Sequence, residues 1–232
     1  MPVNIKKLTN SFISLFFPCL CPVCKEPLTG QENSICWDCS LSLPKTNSYS
    51  HEENRAAKRF YGKIQLESAA SYLYYNKRGA AQKIVYEIKY KRNLSLGRSM
   101  GEAMAKDILA SGFFEGIDCI MPVPLHKKKL KYRGFNQSLA LAEGISEVSR
   151  IPIENKSLVR KKFSATQTKK GLYARWLNTK NRFTLYNKES FQNKHILLVD
   201  DVLTTGSTLE ACAQCFRDIE GIKISVLTLA VT

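Results

Sequence analysis

The chain has 232 residues, of which 44% are hydrophobic and 24% charged. This is ordinary for a soluble globular protein, long enough for one full α/β domain and a small extra module, and it excludes any need for disulfides to replace a core. The charge is not ordinary: it is +15 overall, and the stretch from Met121 to Lys188 holds 16 Lys and Arg against three acids, Glu143, Glu147 and Glu154, a local net of +13. Charge concentrated in this way points to a polyanionic partner such as nucleic acid, pyrophosphate or a nucleotide-like substrate, with a solubilising surface as the plain alternative.

In chain order, Lys6 and Lys7 come before the apolar run Phe12–Phe17. The run loosely imitates a signal peptide, but it is short, Ser14 interrupts it and no small-residue cleavage site follows. Asn4–Phe17 is therefore expected to form a short helix packed by its apolar side. No stretch is long enough to span a bilayer, and the expected compartment is the cytoplasm.

Five cysteines follow: Cys19, Cys21, Cys24, Cys36 and Cys39. Cys21-Pro-Val-Cys24 and Cys36-Trp-Asp-Cys39 are two C-x-x-C pairs. Each such turn aims two thiolates at one point, and two turns facing each other give the closed tetrahedral sulfur site that Zn²⁺ takes in structural roles. Disulfides would suit a secreted chain instead. Cys19 competes with Cys21 as the fourth ligand. Of the remaining three, Cys119 reads as a core thiol, and Cys212 and Cys215 share a helix face where packing is expected.

Three regions are expected: residues 1–44, an N-terminal helix with a small zinc-ribbon-like module; 45–67, a linker that opens with the polar stretch Lys45–Arg59; and 68–232, an α/β domain. In the last, Ser68–Tyr75 reads as a strand. Ala80, Ala81, Ile84, Val85 and Ile88 repeat at helical spacing, as do Leu96, Met100, Met104 and Ile108. Ile117–Val123 is a short strand, Leu139, Ala142, Ile145 and Val148 mark a helix, and Lys156–Arg160 is strand-like. His195–Val199 reads as a buried strand, Thr205–Ile219 as a helix and Ile222–Val231 as a closing strand. The alternation implies a mainly parallel sheet flanked by helices. Lys161–Asn193 fits neither period; basic loops of that length are usually functional or mobile.

The chemistry concentrates in Ile196–Thr208. An apolar run ends in Asp200-Asp201, two carboxylates that repel each other and gain nothing from packing. The carboxyl ends of strands are where ligands bind in open α/β sheets. Thr204-Thr205-Gly206-Ser207-Thr208 then runs into a helix, and hydroxyls with free N–H groups at a helix start favour an anion. Gly206 allows a backbone approach that a side chain would block. A phosphorylated sugar satisfies both halves, carboxylates to its hydroxyls or to Mg²⁺ and the turn to its phosphate. No G-K-[ST] follows, so this is not a P-loop.

Ile196–Thr208 resembles the 5-phosphoribosyl-1-pyrophosphate (PRPP) motif of type I phosphoribosyltransferases. Pro122-Val-Pro124-Leu-His126, Arg133-Gly-Phe-Asn-Gln137, Lys89-Tyr90, the series Thr166-Gln167, Leu172, Arg175 and Asn178, and the cysteine module resemble the ComF (ComFC) family of competence-associated proteins. The resemblance runs from about Phe17 to the end. It implies a type I phosphoribosyltransferase fold with a mobile hood. Asp200 and Asp201 would contact ribose hydroxyls, with Mg²⁺ held directly or through them, and Thr204, Thr205, Gly206, Ser207 and Thr208 would hold the 5-phosphate. The turn after Pro124 would be the pyrophosphate loop, with Lys127, Lys128 and Arg133 nearby and a helix starting near Gly134 behind it. Arg160–Arg182 would be the hood, with Arg160, Lys170 and Arg175 as its catalytic cations.

Two functions follow. One is transfer of phosphoribose from PRPP to an acceptor, with Asp200 and Asp201 at its centre. The other is binding of single-stranded DNA during DNA uptake in natural transformation, through the basic stretch and its aromatics Tyr132, Phe135, Phe163, Tyr173, Trp176 and Phe183; the PRPP site would then be regulatory or vestigial. The resemblance also implies a DNA-uptake helicase as partner of the zinc module. Tyr74, Tyr75 and Asn76 are candidates to stack on or hydrogen-bond a base, with packing as the plainer role.

Overall fold

Four strands form one sheet in the order β1-β6-β5-β2: β1 Ser68–Tyr74, β6 Lys223–Val231, β5 His195–Leu203 and β2 Cys119–Pro122. All three pairings are parallel. A parallel sheet needs cover on both faces, and the strand sequences show it: Ile196, Leu197, Leu198 and Val199 of β5 are all fully buried. Hydroxyls inside the sheet satisfy one another, Ser71 with Thr228 at 2.6 Å and Ser68 with Ser225 at 2.8 Å.

The structure, a computed structural model, describes residues 18–30, 32, 34–49, 54–161 and 182–232. The expected helix Asn4–Phe17 and the loop cations Lys170 and Arg175 lie outside the described residues. The chain divides into two compact units, Met1–Leu43 and Pro44–Thr232. Among its described residues the first holds one short helix, α1 (Trp37–Leu41).

In the second unit, α2 (Arg55–Lys58) comes first, followed by α3 (Ala80–Tyr90), α4 (Leu94–Leu109), α5 (Lys127–Arg133), α6 (Gln137–Ser149) and α7 (Ser207–Ala213). The segment expected as a linker, 45–67, is part of this unit. Thr46 N–H donates to the Tyr72 carbonyl alongside β1, and Ala56 and Phe60, one helical turn apart, are buried against the sheet. Ala56 lies on the inner side of α2 and Phe60 in the turn that follows it, an apolar signal too brief to stand out among the surrounding charges.

A two-stranded antiparallel ribbon, β3 (Leu158–Arg160) with β4 (Phe183–Leu185), covers one face of the sheet together with α7 and Phe60. Of these, β4 lies in the stretch where the sequence showed no period. The Thr205–Ile219 helix is shorter than expected: α7 ends at Ala213 and a 3-10 turn, Gln214–Phe216, follows. Among the described residues, no helix is long and apolar enough to cross a membrane.

On the other face, α6 packs on β5 and β2 and against α4. Here the two helices approach backbone to backbone. A Cβ at Gly144 would collide with the carbonyl oxygen of Arg98, and one at Gly101 with that of Leu141. Glycine inside a helix costs about 1 kcal/mol relative to alanine, so its presence in both helices at their crossing follows from the space, not from propensity. Gly144→Ala is expected to force the helices apart and to lower stability by about 3 kcal/mol, the upper end of overpacking costs. The urea midpoint by circular dichroism measures it, and an unchanged midpoint would contradict the close approach.

Candidate functional site

The central strand β5 stays apolar through Val199 and then carries Asp200 and Asp201 out at its carboxyl end. The two acids face different partners. Oδ1 of Asp200 accepts from the Ser138 hydroxyl and from the Asp201 N–H, both at 2.9 Å. Oδ1 of Asp201 pairs with Lys89 Nζ at 2.8 Å, with both side chains largely shielded from water. Burial and the adjacent charge of Asp201 push the Asp200 carboxyl up to about 7, against the pull of the Asp201 N–H, Ser138 and Lys89. A partly buried carboxyl crowded by a second one, at the end of a parallel strand, makes this strand end the candidate site.

The turn after β5 is set by Gly206, whose φ of 81° lies in the left-handed region. A Cβ there would also sit 3.0 Å from Cε1 of the buried Phe60 ring. The turn is braced from outside by Lys63, which donates to the carbonyls of Thr205 at 3.1 Å and Arg59 at 2.8 Å. The hydroxyls of Thr205 and Ser207 hydrogen-bond each other at 2.9 Å. A hollow of about 30 Å³ lies inside the turn, lined by Asp200 and by Val202 through Leu209.

This end of β5 opens into a larger cavity of about 540 Å³. Pro124, Leu125, Lys129 and Arg133 line it from the segment after β2, Arg160 from the end of β3, and Asp200, Asp201, Thr204 and Thr208 from β5 and its turn. Helix α3 supplies another wall through Gln82, Val85, Tyr86, Lys89 and Tyr90, whose spacing i, i+3, i+4, i+7 and i+8 describes one helix face. The structure thus gathers four cations, Lys89, Lys129, Arg133 and Arg160, around two acids.

Several expected residues lie elsewhere. Lys127 and Lys128 are exposed on α5 and do not line the cavity, where Lys129 does. The helix expected near Gly134 begins at Gln137; Gly134 instead ends α5 in the left-handed region. The turn between them is tied down by Asn136, which donates to the Val123 carbonyl at 3.0 Å and accepts from the Ser138 N–H at 3.2 Å. Of Tyr74, Tyr75 and Asn76, only Tyr75 lines the cavity. Phe183 is buried in the core and Phe135 is partly buried, while Tyr132 is 74% exposed; Phe163, Tyr173 and Trp176 fall outside the described residues. Ser138, Lys129 and Tyr86 were not singled out from the sequence, and Lys89-Tyr90 only as part of the family resemblance. The helix-face spacing of Gln82, Tyr86, Lys89 and Tyr90 was the available signal.

In the first unit, the Sγ atoms of Cys21, Cys24, Cys36 and Cys39 all lie within 4.8 Å of one another, and those of Cys24 and Cys36 are 3.6 Å apart. Tetrahedral binding at about 2.3 Å per thiolate needs sulfurs just under 4 Å apart, so this donor set fits a metal ion. The first turn is closed by the Lys25 N–H donating to the Cys21 carbonyl, and Cys36 caps α1. Burial disfavours the Cys21 thiolate, but N–H groups of Cys24, Cys36 and Val23 outweigh it and lower the thiol to about 6. Burial and the neighbouring sulfurs push Cys39 up. Cys19 is exposed and outside the cluster, which is the one group of this kind among the described residues.

Comparison with known proteins agrees with this arrangement. The phosphoribosyl transferase domain family model matches residues 145–230, which hold the acid pair and its turn. The DNA utilization protein YhgH of Escherichia coli K12 is 27% identical over 215 residues, 86% of this chain and 91% of that protein. Competence protein F of Haemophilus influenzae is 38% identical over 116 residues, 49% of this chain and 50% of that protein. Competence protein ComFC of Bacillus subtilis is 27% identical over 227 residues, 93% of this chain and 75% of that protein. Over residues 145–230 the chain matches the phosphoribosyl transferase domain family, over most of its length it is similar to competence and DNA-utilization proteins, and its first unit holds a four-cysteine cluster.

Proposed function

We propose that the chain binds PRPP at the carboxyl end of β5 and transfers its phosphoribosyl group to an acceptor, releasing pyrophosphate. The observation that carries this reading is the convergence of Asp200, Asp201, the Thr204–Thr208 turn and four cations on one cavity. Asp200 and Asp201 hold the ribose hydroxyls, and the turn takes the 5-phosphate with its hydroxyls and N–H groups. As the acceptor bonds to C1, the bond from C1 to the pyrophosphate oxygen breaks, and the leaving group carries away the electron pair. Lys129, Arg133 and Arg160 meet the charge that develops on it. Oxygen donors of this kind suit Mg²⁺, which when bound with PRPP neutralises part of the pyrophosphate charge. Calorimetric titration of PRPP with and without Mg²⁺ tests the reading. Wild type is expected to bind in a Mg²⁺-dependent way and Asp201→Asn, which keeps the shape but not the charge, about tenfold or more weakly. Equal affinities would reject it.

The four-cysteine cluster is read as a structural Zn²⁺ site, in keeping with a cytoplasmic protein whose thiols stay reduced. The purified chain is expected to carry one Zn²⁺, and Cys39→Ser close to none, by elemental analysis.

A role in DNA uptake or utilization is the second part of the proposal, supported by the names of the relatives and by one surface. Helix α5 carries Lys127, Lys128, Lys129, Lys131 and Arg133 without an acid, and Tyr132 on it is 74% exposed. Cations beside an accessible ring suit a single strand, and a DNA-translocating helicase is a fitting partner for such a protein. Replacing Lys127, Lys128 and Lys131 by Gln is expected to flatten the slope of log affinity against log salt for a single-stranded oligonucleotide by about 2. An unchanged slope would remove α5 from the interface.

A further inference from the structure

Between the end of β2 and the start of α6 the chain makes an excursion that carries Pro124, Leu125, Lys129 and Arg133 into the cavity wall. Its helix, α5, has no buried residue, so no core grips it. Along its length it is tied down from outside: the Arg92 guanidinium donates to the Tyr132 carbonyl at 2.8 Å, and the Arg133 guanidinium lies 5.5 Å from the centroid of the Tyr90 ring. Its two ends are joined by the side chain of Asn136. Nδ2 donates to the Val123 carbonyl at 3.0 Å, and Oδ1 accepts from the Ser138 N–H at 3.2 Å. These partners fix the orientation of the amide, because a carbonyl only accepts and an N–H only donates.

The bonds continue on both sides. The Val123 N–H donates to the Val199 carbonyl at 2.9 Å, and the Ser138 hydroxyl donates to Oδ1 of Asp200 at 2.9 Å. Val199 and Asp200 are consecutive in β5. The four hydrogen bonds therefore form a closed circuit that starts and ends on one strand, with Asn136 at its centre. Gln137, the first residue of α6, is fully buried, and neither of its amide atoms has a hydrogen-bond partner among the described residues. A buried amide left unpaired costs stability. The way α6 begins thus serves the residues on either side of Gln137, one of which reaches the loop and the other the acid.

We propose that Asn136 is a positioning residue that ties the loop after β2 to Asp200, so that the cationic and acidic sides of the cavity are held in one fixed relation. Its donor and acceptor sit on the same planar amide, which cannot follow one partner without straining its bond to the other. If the neck of the loop shifts at Val123, Asn136 moves with it, α6 loses its cap, and Ser138 is drawn away from Asp200. A neck free to shift would leave Lys129 and Arg133 many positions relative to the acids. Holding them in one relation lowers the ordering that a ligand spanning both sides must supply. That this ligand is PRPP, with ribose at the acids and pyrophosphate at the cations, rests on the reading above; the circuit itself does not.

The test uses the full chain and two probes, ribose 5-phosphate and inorganic pyrophosphate, each titrated calorimetrically in Mg²⁺; circular dichroism establishes that every variant folds. Asn136→Ala removes both arms of the amide. Asn136→Ser keeps an acceptor that caps α6 but is too short to reach Val123. Ser138→Ala removes the hydroxyl from Asp200. Asn136→Ala is expected to bind both probes about tenfold more weakly, Asn136→Ser to lose affinity for pyrophosphate and keep that for ribose 5-phosphate, and Ser138→Ala to show the reverse. A general loss of structure would weaken both probes in all three variants and would not give this split. Wild-type affinity of Asn136→Ala for both probes, or equal losses by Asn136→Ala and Asn136→Ser on both, overturns the proposal. If wild type binds neither probe nor PRPP, the PRPP reading falls, and the circuit is judged by hydrogen exchange without ligand. Exchange of residues 124–135 is then expected to quicken about tenfold in Asn136→Ala and in Asn136→Ser, and exchange as slow as in wild type overturns it.

Discussion

A parallel strand hydrogen-bonded on both sides and covered on both faces can offer chemistry only where it leaves the sheet. That constraint governs β5. Its neighbours β2 and β6 take its hydrogen bonds, and helices and the β3–β4 ribbon take its side chains. The residues that emerge, Asp200 and Asp201, are therefore fixed in position by about five buried residues behind them, and the loops from the other strand ends converge on the same place. The cavity is the common mouth of those loops, which is why residues from β2, β3, α3 and β5 meet in it despite their distance in sequence.

The electrostatics of that mouth are divided. The two acids sit together at the strand end, and the four cations are spread around them. Lys89 pairs directly with Asp201, at 2.8 Å. Asp200 has no such partner. It accepts from the Ser138 hydroxyl and a backbone N–H, but burial and the adjacent charge of Asp201 outweigh these and raise its carboxyl. The two neighbouring carboxyl groups thus have different surroundings, an ammonium for Asp201 and hydrogen-bond donors for Asp200.

Much of this was legible in the sequence because it is local. The acid pair, the turn around Gly206 and the two C-x-x-C turns are each encoded within a dozen residues, and the apolar runs announce a parallel sheet. What was not legible arises between segments. Ser138 reaches Asp200 across 62 residues, and Lys89 reaches Asp201 from another helix. The run Lys127-Lys128-Lys129 shows that cations are present but not which one turns inward; helix phase decides that, and α5 has no buried residue to reveal its phase. Residues 45–67 look like a linker because Ala56 and Phe60 are too few to make a period. β4 has three residues, shorter than any pattern can register.

The strand order has a consequence for how the chain is made. β1 finds its parallel neighbour only in β6, the last strand in chain order, which enters the sheet between β1 and β5. During synthesis, β1 emerges more than 150 residues ahead of β6. Over that interval its apolar residues, Ala69, Ala70, Tyr72 and Leu73, have only the segment at Pro44–Thr46 alongside them and lack the parallel neighbour that covers them in the sheet. The sheet therefore closes in one late step, when residues 223–231 slot between the strands already formed, and the same step completes the support behind the acid pair.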